Sequence, residues 1–560
     1  MSERKASGAT YTPRALADYL AERLIESAPG VLAQATIRVL DPALGDGALA
    51  LALLGALGRA TTARVQLVGY EIDARAAARA RRSLRAAFGQ ARIEVRERDF
   101  LADGDGEQHD LAIANPPYVR TQILGAGGAA RLAARFGLEG RVDLYQAFAL
   151  AIVERLRPGG GLALVTSNRF LTTRGAAAFR DALGAQVAIA RLWDLGDTRV
   201  FDAAVLPAML VGHRRTGPTD AAREPRFTSV YEQPGVTGAP CAGLTDALDR
   251  QGDFAVGERS FRVEQGQLRA PRGEVWRLSS ASVDGWLHTV GEHTWRRLGQ
   301  VGKIRVGVKS TADRVFIRRD WAAMGEATPE LLRPLLTHHV AGRYRAGDPV
   351  TGILYPHRDR DGRREVIDLA DYPRTAAYLA SHRTTLEGRT YVREAGRRWY
   401  ELWVPQEPAL WSRPKLVFRD IAEQPTFWVD TSGAVVNGDC YWMVVDGDAS
   451  DDLLWLAAAV ANSTFIETFY DRSFPNKLYA GRRRFMSQYV EQFPLPAPDT
   501  RAARSLVALA RRRYGASLPG EQARLERQID ERVWAAFGVE PARAGGPGVS
   551  VRAAGAPAGE

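Results

Sequence analysis

A chain of 560 residues, 46% hydrophobic and 25% charged, is too long for one ordinary core and too apolar for disorder, so two or three folded domains are expected. Its two cysteines, Cys241 and Cys440, have no CxxC partner, which leaves neither a disulfide framework nor a zinc site. No apolar run is long enough to span a bilayer and residues 1–10 lack the apolar stretch of a secretion signal, so a cytoplasmic location is expected; the net charge of +10 suits a polyanionic partner without establishing one.

Up to about residue 215, short apolar runs alternate with helical patterns. Thr36–Leu40 reads as a strand, Asp41–Gly47 as a glycine turn and Ala48–Leu57 as a helix. Val65–Tyr70 is the next strand and Ala74–Phe88 the next helix, followed by strands at Ile93–Glu97 and Asp110–Ala114. A helix over Asp143–Leu156 is expected to stop at the Pro158–Gly161 run, before a buried strand at Leu162–Thr166. Strands alternating with helices predict a parallel α/β sheet covered on both faces.

From 216 to 290, Pro, Gly, Thr and Asp break the pattern, and this stretch reads as a connector. Residues 291–497 are rich in Trp, Tyr and Arg with short strand-like runs, predicting a second, mixed α+β domain. Residues 498–540 read as a helical segment, and the Gly-, Ala- and Pro-rich 541–560 as a disordered tail.

The chemistry-bearing residues sit where the predicted strands end. Gly45 and Gly47 let the backbone turn sharply and approach a ligand closely, beside Asp41. Glu71 follows the second strand, where a carboxylate can accept from two ribose hydroxyls. Asp99 follows the third, placed to accept from an adenine amine while Phe100 covers the ring. Gly-x-Gly-x-x-Gly is absent, which argues against NAD, whose pyrophosphate needs that cradle; S-adenosylmethionine has no pyrophosphate and does not need it.

Asn115-Pro116-Pro117-Tyr118 is the most specific signal. Two prolines stiffen the loop and remove donors, leaving the Asn115 side-chain carbonyl and the Pro116 backbone carbonyl as acceptors. Two acceptors converging on one planar amine can hold both its hydrogens and aim its lone pair at an incoming methyl group. Tyr118 offers a face on which a base can stack.

Taken in order, these motifs resemble the gamma-class N6-adenine DNA methyltransferases of restriction–modification systems, the TaqI type. Ala9–Pro13 is similar to that family's segment over the methionine end of the cofactor, and Arg141–Phe148 and Arg157–Gly161 also match. Lys303–Ile317, Trp411–Asp420, Asn462–Thr464, Asn476–Leu478 and Gln492–Pro496 are similar to its C-terminal specificity domain. The resemblance implies a Rossmann-like S-adenosylmethionine-dependent catalytic domain over 1–215 and a DNA target-recognition domain over 291–497. It implies cofactor contacts from Thr12, Asp41, Ala43, Gly45, Gly47, Glu71, Ile72, Asp99, Phe100, Asn115 and Pro117. Catalysis falls to Asn115, Pro116, Pro117 and Tyr118, base stacking to Tyr118 and Phe170, and no metal is required.

Basic and aromatic residues interleave at Arg393, Arg397, Arg398, Trp399 and Tyr400, and again at Arg472, Lys477 and Arg482–Arg484, a composition suited to duplex DNA. The expected partners are double-stranded DNA and a separately encoded restriction endonuclease, with no membrane. The catalytic motifs begin near residue 1 and no Asp…Glu-x-Lys site follows them, so methylation without cleavage is expected. Methylation of a protein glutamine amide, of cytosine N4 or of RNA, and a catalytically silent DNA-binding subunit, remain open from sequence.

Overall fold

The computed structural model describes residues 12–102, 106–118, 125–139, 142–198, 206–217, 220, 224–233, 236–447, 449–474 and 482–541. The expected tail, apart from residue 541, and residues 9–11, Arg141 and 476–478 of the motifs lie outside the described residues. The chain forms two units, one of residues 1–281 with 471–481, the other of residues 282–470 with 482–560.

The first unit is built on a twelve-stranded sheet. Strands β1 (Thr36–Asp41), β2 (Arg64–Tyr70), β3 (Arg92–Arg96), β4 (His109–Ala114) and β5 (Leu156–Ser167) lie in the order β3-β2-β1-β4-β5 and are all parallel. Side chains on a strand alternate between faces, and here both faces are covered. Ile37, Val39, Leu111, Ile113, Ala163 and Val165 pack into one core with the helices Arg14–Ser27 and Ala48–Ala60. Leu40, Ala112, Ala114, Leu162 and Leu164 pack into the other with Leu144–Glu154 and Ala177–Gln186. All six residues of β4 are buried, the polar His109 and Asp110 at its start as well as the apolar run Leu111–Ala114.

Two expectations change. The Pro158–Gly161 run does not separate helix from strand: the helix ends at Glu154 and the run lies inside β5, as a bulge. There β4 pairing jumps from His109↔Leu156 to Leu111↔Gly161. A side chain at Gly161 would come within 2.8 Å of Leu111, so this close approach requires glycine.

The stretch 216–290, expected as a connector, instead continues the same sheet. After β6 (Val187–Asp194) and β7 (Pro207–Arg214) come β8 (Arg226–Glu232), β9 (Ala239–Pro240), β10 (Gly252–Val256), β11 (Arg259–Arg269) and β12 (Arg277–Ser279). The order runs on as β5-β7-β6-β8-β11-β10-β9, with β12 beside β11. Pairing here is largely antiparallel, so the full sheet is mixed. Phe261 and Val263 bury alternate positions of β11, a period too short to stand out among the surrounding polar residues.

The second unit contains two four-stranded sheets. One joins Arg305–Val306, Cys440–Met443, Lys415–Arg419 and Phe427–Asp430; the other joins Ile317–Arg318, Thr351–Leu354, Leu332–Leu336 and Val435–Val436. Their core is aromatic: Trp411, Trp428, Trp442 and Tyr355 are buried, with Trp411 and Trp442 rings 4.5 Å apart. Much of the Trp- and Tyr-rich texture is therefore packing. The helices Arg501–Gly515 and Pro519–Ala536 lie against Asp452–Ala461 and each other, and the break between the first two falls at Pro519, where a helix starts readily. Among the described residues, no helix is long and apolar enough to cross a membrane.

Candidate active site

In the first unit the strand order reverses direction between β1 and β4, the place in an open α/β sheet where a crevice forms beyond the carboxyl ends of the strands. β1 and β4 pair directly at Val39↔Leu111 and Leu40↔Ala112, so the loops after Asp41 and Ala114 leave the sheet side by side.

The loop after β1 is shaped by left-handed Gly45 (φ 56°) and Gly47 (φ 88°), backbone conformations that other residues adopt at a cost. It is tied to β2 twice. The Leu44 N–H donates to the Tyr70 carbonyl (2.8 Å), and the Gly45 N–H donates to Glu71 Oε2 (2.8 Å). The other Glu71 oxygen accepts from the Asp73 N–H (2.8 Å). Each carboxylate oxygen has two lone pairs, so both retain capacity to accept a hydroxyl. Beside Glu71, Ile72 is 73% exposed, an apolar side chain standing in water at the rim. Asp73 caps the next helix by accepting from the Arg75 and Ala76 N–H groups.

Asp41 is fully buried. Its Oδ1 accepts from the Ala43 N–H (3.3 Å), while its Oδ2 is buried without a hydrogen-bond partner. Burial, with the Glu71 and Asp46 carboxylates nearby, pushes its carboxyl group up to about 8. The ligand-free folded protein therefore holds a proton on Asp41 that the unfolded chain releases near 3.8, and this contribution to stability declines as pH rises from about 4 to about 8. Asp41→Asn is expected to remove that decline: without ligand the variant melts above the wild type at pH 9, and the gap closes toward pH 4. Calorimetric melting temperatures across that range check it, and parallel curves would overturn the assignment.

Asp99 is exposed and accepts from the Leu101 N–H (2.9 Å). Phe100, expected to cover an adenine ring, is instead 3% exposed, edge-on to Tyr70 and tilted against Phe148. The turn after β3 points it into the core.

After β4, the buried strand end delivers Asn115 to a three-residue cluster. The Asn115 Nδ2 donates to Thr12 Oγ1 (3.1 Å), and the Tyr118 hydroxyl donates to Asn115 Oδ1 (2.7 Å). Thr12 is 7% exposed, just before the helix Arg14–Ser27. The amide thus faces Thr12 with its nitrogen and Tyr118 with its oxygen. Pro116 is buried; Pro117 and Tyr118 are half-buried, and burial raises the Tyr118 phenol above its ordinary range, so it stays a donor.

Phe170 is corrected as a base contact. It is 1% exposed, with Phe179 and Trp276 edge-on at 5.7 and 5.8 Å, so its ring has no face for a base. The residues the sequence reading missed lie beside it. Asp194, at the end of β6, is buried and accepts from Asn168 Nδ2 (2.9 Å), the Tyr231 hydroxyl (2.5 Å) and the Gly196 N–H (3.1 Å). Burial pushes its carboxyl group up to about 6. This network ties the ends of β5, β6 and β8 together; polar residues at strand ends were its only signal in sequence.

The fit to a cofactor can be judged from these residues. An orphaned buried carboxylate oxygen suits a cation, Glu71 suits a ribose, and an exposed isoleucine suits a flat ring. Together the fold and the site define a methyltransferase that takes its methyl group from S-adenosylmethionine. Residues 86–201 match the Eco57I restriction-modification methylase family and residues 375–495 the TaqI-like C-terminal specificity domain. The Type II methyltransferase M.BanIII of Aneurinibacillus aneurinilyticus is 34% identical over 96% of this chain and 98% of that protein. The Type II methyltransferase M.XhoI of Xanthomonas vasicola is 25% identical over 87% of this chain and 91% of that protein. A release factor glutamine methyltransferase of Moorella thermoacetica is 33% identical over 24% of this chain and 50% of that protein. The chain belongs to the Type II methyltransferases of restriction–modification systems: it is a sequence-specific DNA methyltransferase.

Proposed function

We propose that the methyl acceptor is the exocyclic N6 of an adenine extruded from duplex DNA, and that the protein protects host DNA from a separately encoded endonuclease. The observation that supports the reading is the Asn115 amide at the end of the buried strand β4, with its nitrogen on Thr12 and its oxygen, an acceptor, on the side of Tyr118. An N–H of the target amine donates to Asn115 Oδ1, and the second donates to the Pro116 carbonyl. Held this way, the lone pair leaves conjugation with the ring and faces the methyl donor. S-Adenosylmethionine supplies an electrophilic methyl group on a sulfonium, a leaving group that needs no further activation. The amine nitrogen forms the new bond and then loses one proton to water, so no strong base is required beforehand. Orientation of the two reactants carries most of the acceleration. Extrusion of the base costs a few kcal/mol, which contacts to the flipped base and the surrounding duplex offset.

The glutamine-amide alternative shares the catalytic loop but has no use for the second unit, which carries the specificity-domain match. Cytosine N4 and adenine N6 are separated by one measurement. Unmethylated duplex DNA treated with the protein and deuteromethyl-labelled cofactor is digested to nucleosides for mass spectrometry. The label is expected in N6-methyldeoxyadenosine; label in N4-methyldeoxycytidine would overturn the assignment.

The Tyr118 hydroxyl donates to Asn115 Oδ1, the acceptor that the target amine needs. An amide oxygen has two lone pairs, so an entering amine can share that acceptor with the hydroxyl or take its place, and the ring is its stacking face. Tyr118→Phe removes the competing donor and keeps the ring, so turnover is expected within about threefold of wild type. Tyr118→Ala removes the ring, and stacking worth about 1–3 kcal/mol per base is lost, roughly a 5- to 150-fold drop in kcat/KM. Equal losses in the two variants would assign the role to the hydroxyl instead.

A further inference from the structure

The arginines that sequence composition marked for DNA are mostly occupied. Arg397 Nη1 donates to the Leu402 carbonyl at 3.1 Å and also to that of Trp403, and Arg398 donates to the Tyr400 hydroxyl (2.7 Å). Arg483 pairs with Glu467 (3.2 Å) and Arg484 with Asp420 (3.2 Å), while Arg482 lies 3.6 Å from Glu423. These side chains hold the second unit together. Lys477 lies outside the described residues.

A different element presents uncommitted charge. Among the described residues, His357–Arg360 and Arg363–Val366 pair only with each other, as a two-stranded antiparallel ribbon. An isolated two-stranded hairpin is marginal in water, so this one depends on its base and its turn. At the base, His357 is buried, packs edge-on to Tyr355 and accepts from the Leu402 N–H (3.3 Å). At the turn, Asp361 (φ 53°) and Gly362 (φ 76°) form the two-residue, left-handed reversal that matches strand twist. Asp359 accepts from the Gly362 N–H (3.4 Å) across it.

The register sets one face of the ribbon. Arg358 lies opposite Glu365, and Arg360 lies directly opposite Arg363. Glu365 accepts from both Arg358 (2.8 Å) and Arg360 (3.2 Å), so one carboxylate serves two guanidinium groups. Arg363 is exposed and, among the described residues, has no hydrogen-bond or ion-pair partner. Arg364 is on the other face and reaches the Gln406 carbonyl (3.3 Å). Three arginines and one glutamate thus share a face. Like charges directly across two strands destabilise a hairpin. Glu365 is shared between Arg358 and Arg360, and Arg363 has no partner among the described residues, so the positive charge on this face is only partly compensated, whereas a polyanion would complete it. The major groove of B-DNA admits a two-stranded ribbon, and the phosphates on either side of it lie within reach of arginines at its tip.

We infer that this ribbon enters a groove of duplex DNA, with Arg360 and Arg363 neutralising backbone phosphates. The inference rests on the DNA reading above and adds an element upstream of the span matched to the specificity domain. The test is filter binding of an unmethylated, linearised plasmid to the full-length protein at several NaCl concentrations. The wild type sets the slope of log affinity against log salt. The double variant Arg360→Ala/Arg363→Ala is expected to flatten that slope by about 2, one unit per phosphate contact, and to lower kcat/KM for methylation roughly tenfold or more. Arg360→Lys/Arg363→Lys keeps both charges and is expected to retain the slope. A variant that merely misfolds would lose cofactor affinity and melting temperature as well, and the lysine pair guards against that reading. An alanine variant with wild-type slope and turnover would overturn the ribbon assignment alone. A wild type that binds no duplex at any salt would overturn it together with the DNA reading.

Discussion

Asn115→Ala is expected to lower kcat by about 100- to 1,000-fold, the loss typical when one preorganised hydrogen-bonding group at a reacting centre is removed. The affinity for S-adenosylmethionine should stay within about threefold of wild type by the same argument, because the interaction lost belongs to the transition state and not to cofactor binding. Alanine leaves the target amine with only the Pro116 carbonyl, so one N–H stays conjugated and the lone pair is no longer aimed. It also releases Thr12 and Tyr118, each of which now spends a hydrogen bond on the amide. Both hydroxyls can turn to water, so a modest fall in melting temperature is expected without loss of the fold. Asn115→Asp keeps an acceptor facing the amine, and Thr12 can become the donor to the other oxygen. The order of rates asparagine, aspartate, alanine therefore separates a lost acceptor from a disturbed loop. Single-turnover methylation with calorimetric cofactor titration measures both halves. Wild-type turnover in Asn115→Ala would remove the basis of the proposed chemistry.

What could be read in advance was local. The short apolar runs of β1 and β4, the glycines of the Asp41–Gly47 turn and the Asn115–Tyr118 motif each lie within a few consecutive residues, and their physics is complete at that range. What could not be read depends on partners far along the chain. β8 and β11 bury Phe227, Phe261 and Val263 only by pairing with each other and with β6, so 216–290 looked like a connector. Phe170 sits at a plausible position after β5, but its surroundings are set by Trp276, more than a hundred residues away. The arginines show the same limit most clearly. Composition cannot tell Arg484, which meets Asp420, from Arg363, which has no partner among the described residues; only register and turn geometry decide it. Thr12 is expected at the cofactor, yet its hydrogen bond to Asn115 spans 103 residues, a pairing that no local pattern carries.

Glu71→Ala is expected to weaken S-adenosylmethionine about 100-fold while leaving kcat at saturating cofactor within about threefold, since two hydrogen bonds to a charged group are worth roughly 3 kcal/mol or more together. The carboxylate does two things at once. It holds the glycine turn by accepting from the Gly45 and Asp73 N–H groups, and in the proposed site its remaining lone pairs accept from a ribose. Alanine deletes both, but Glu71 is only half-buried, so water can satisfy the two loop donors and the fold should survive. Glutamine divides the effects: its oxygen can keep one loop N–H, while its NH2 must face the other and can no longer accept from a hydroxyl. An intermediate loss of about tenfold is expected for it on the same energy scale. The loop role and the ribose role separate with a cofactor analogue lacking one ribose hydroxyl. If Glu71 holds the ribose, that analogue binds the wild type more weakly than S-adenosylmethionine does, and the difference vanishes in Glu71→Ala. A difference that persists unchanged in the variant would make Glu71 a brace for the turn and move the ribose elsewhere. The reading then shifts to the fully buried Asp41, whose unpartnered Oδ2 would have to account for more of the cofactor's affinity than its cation alone requires.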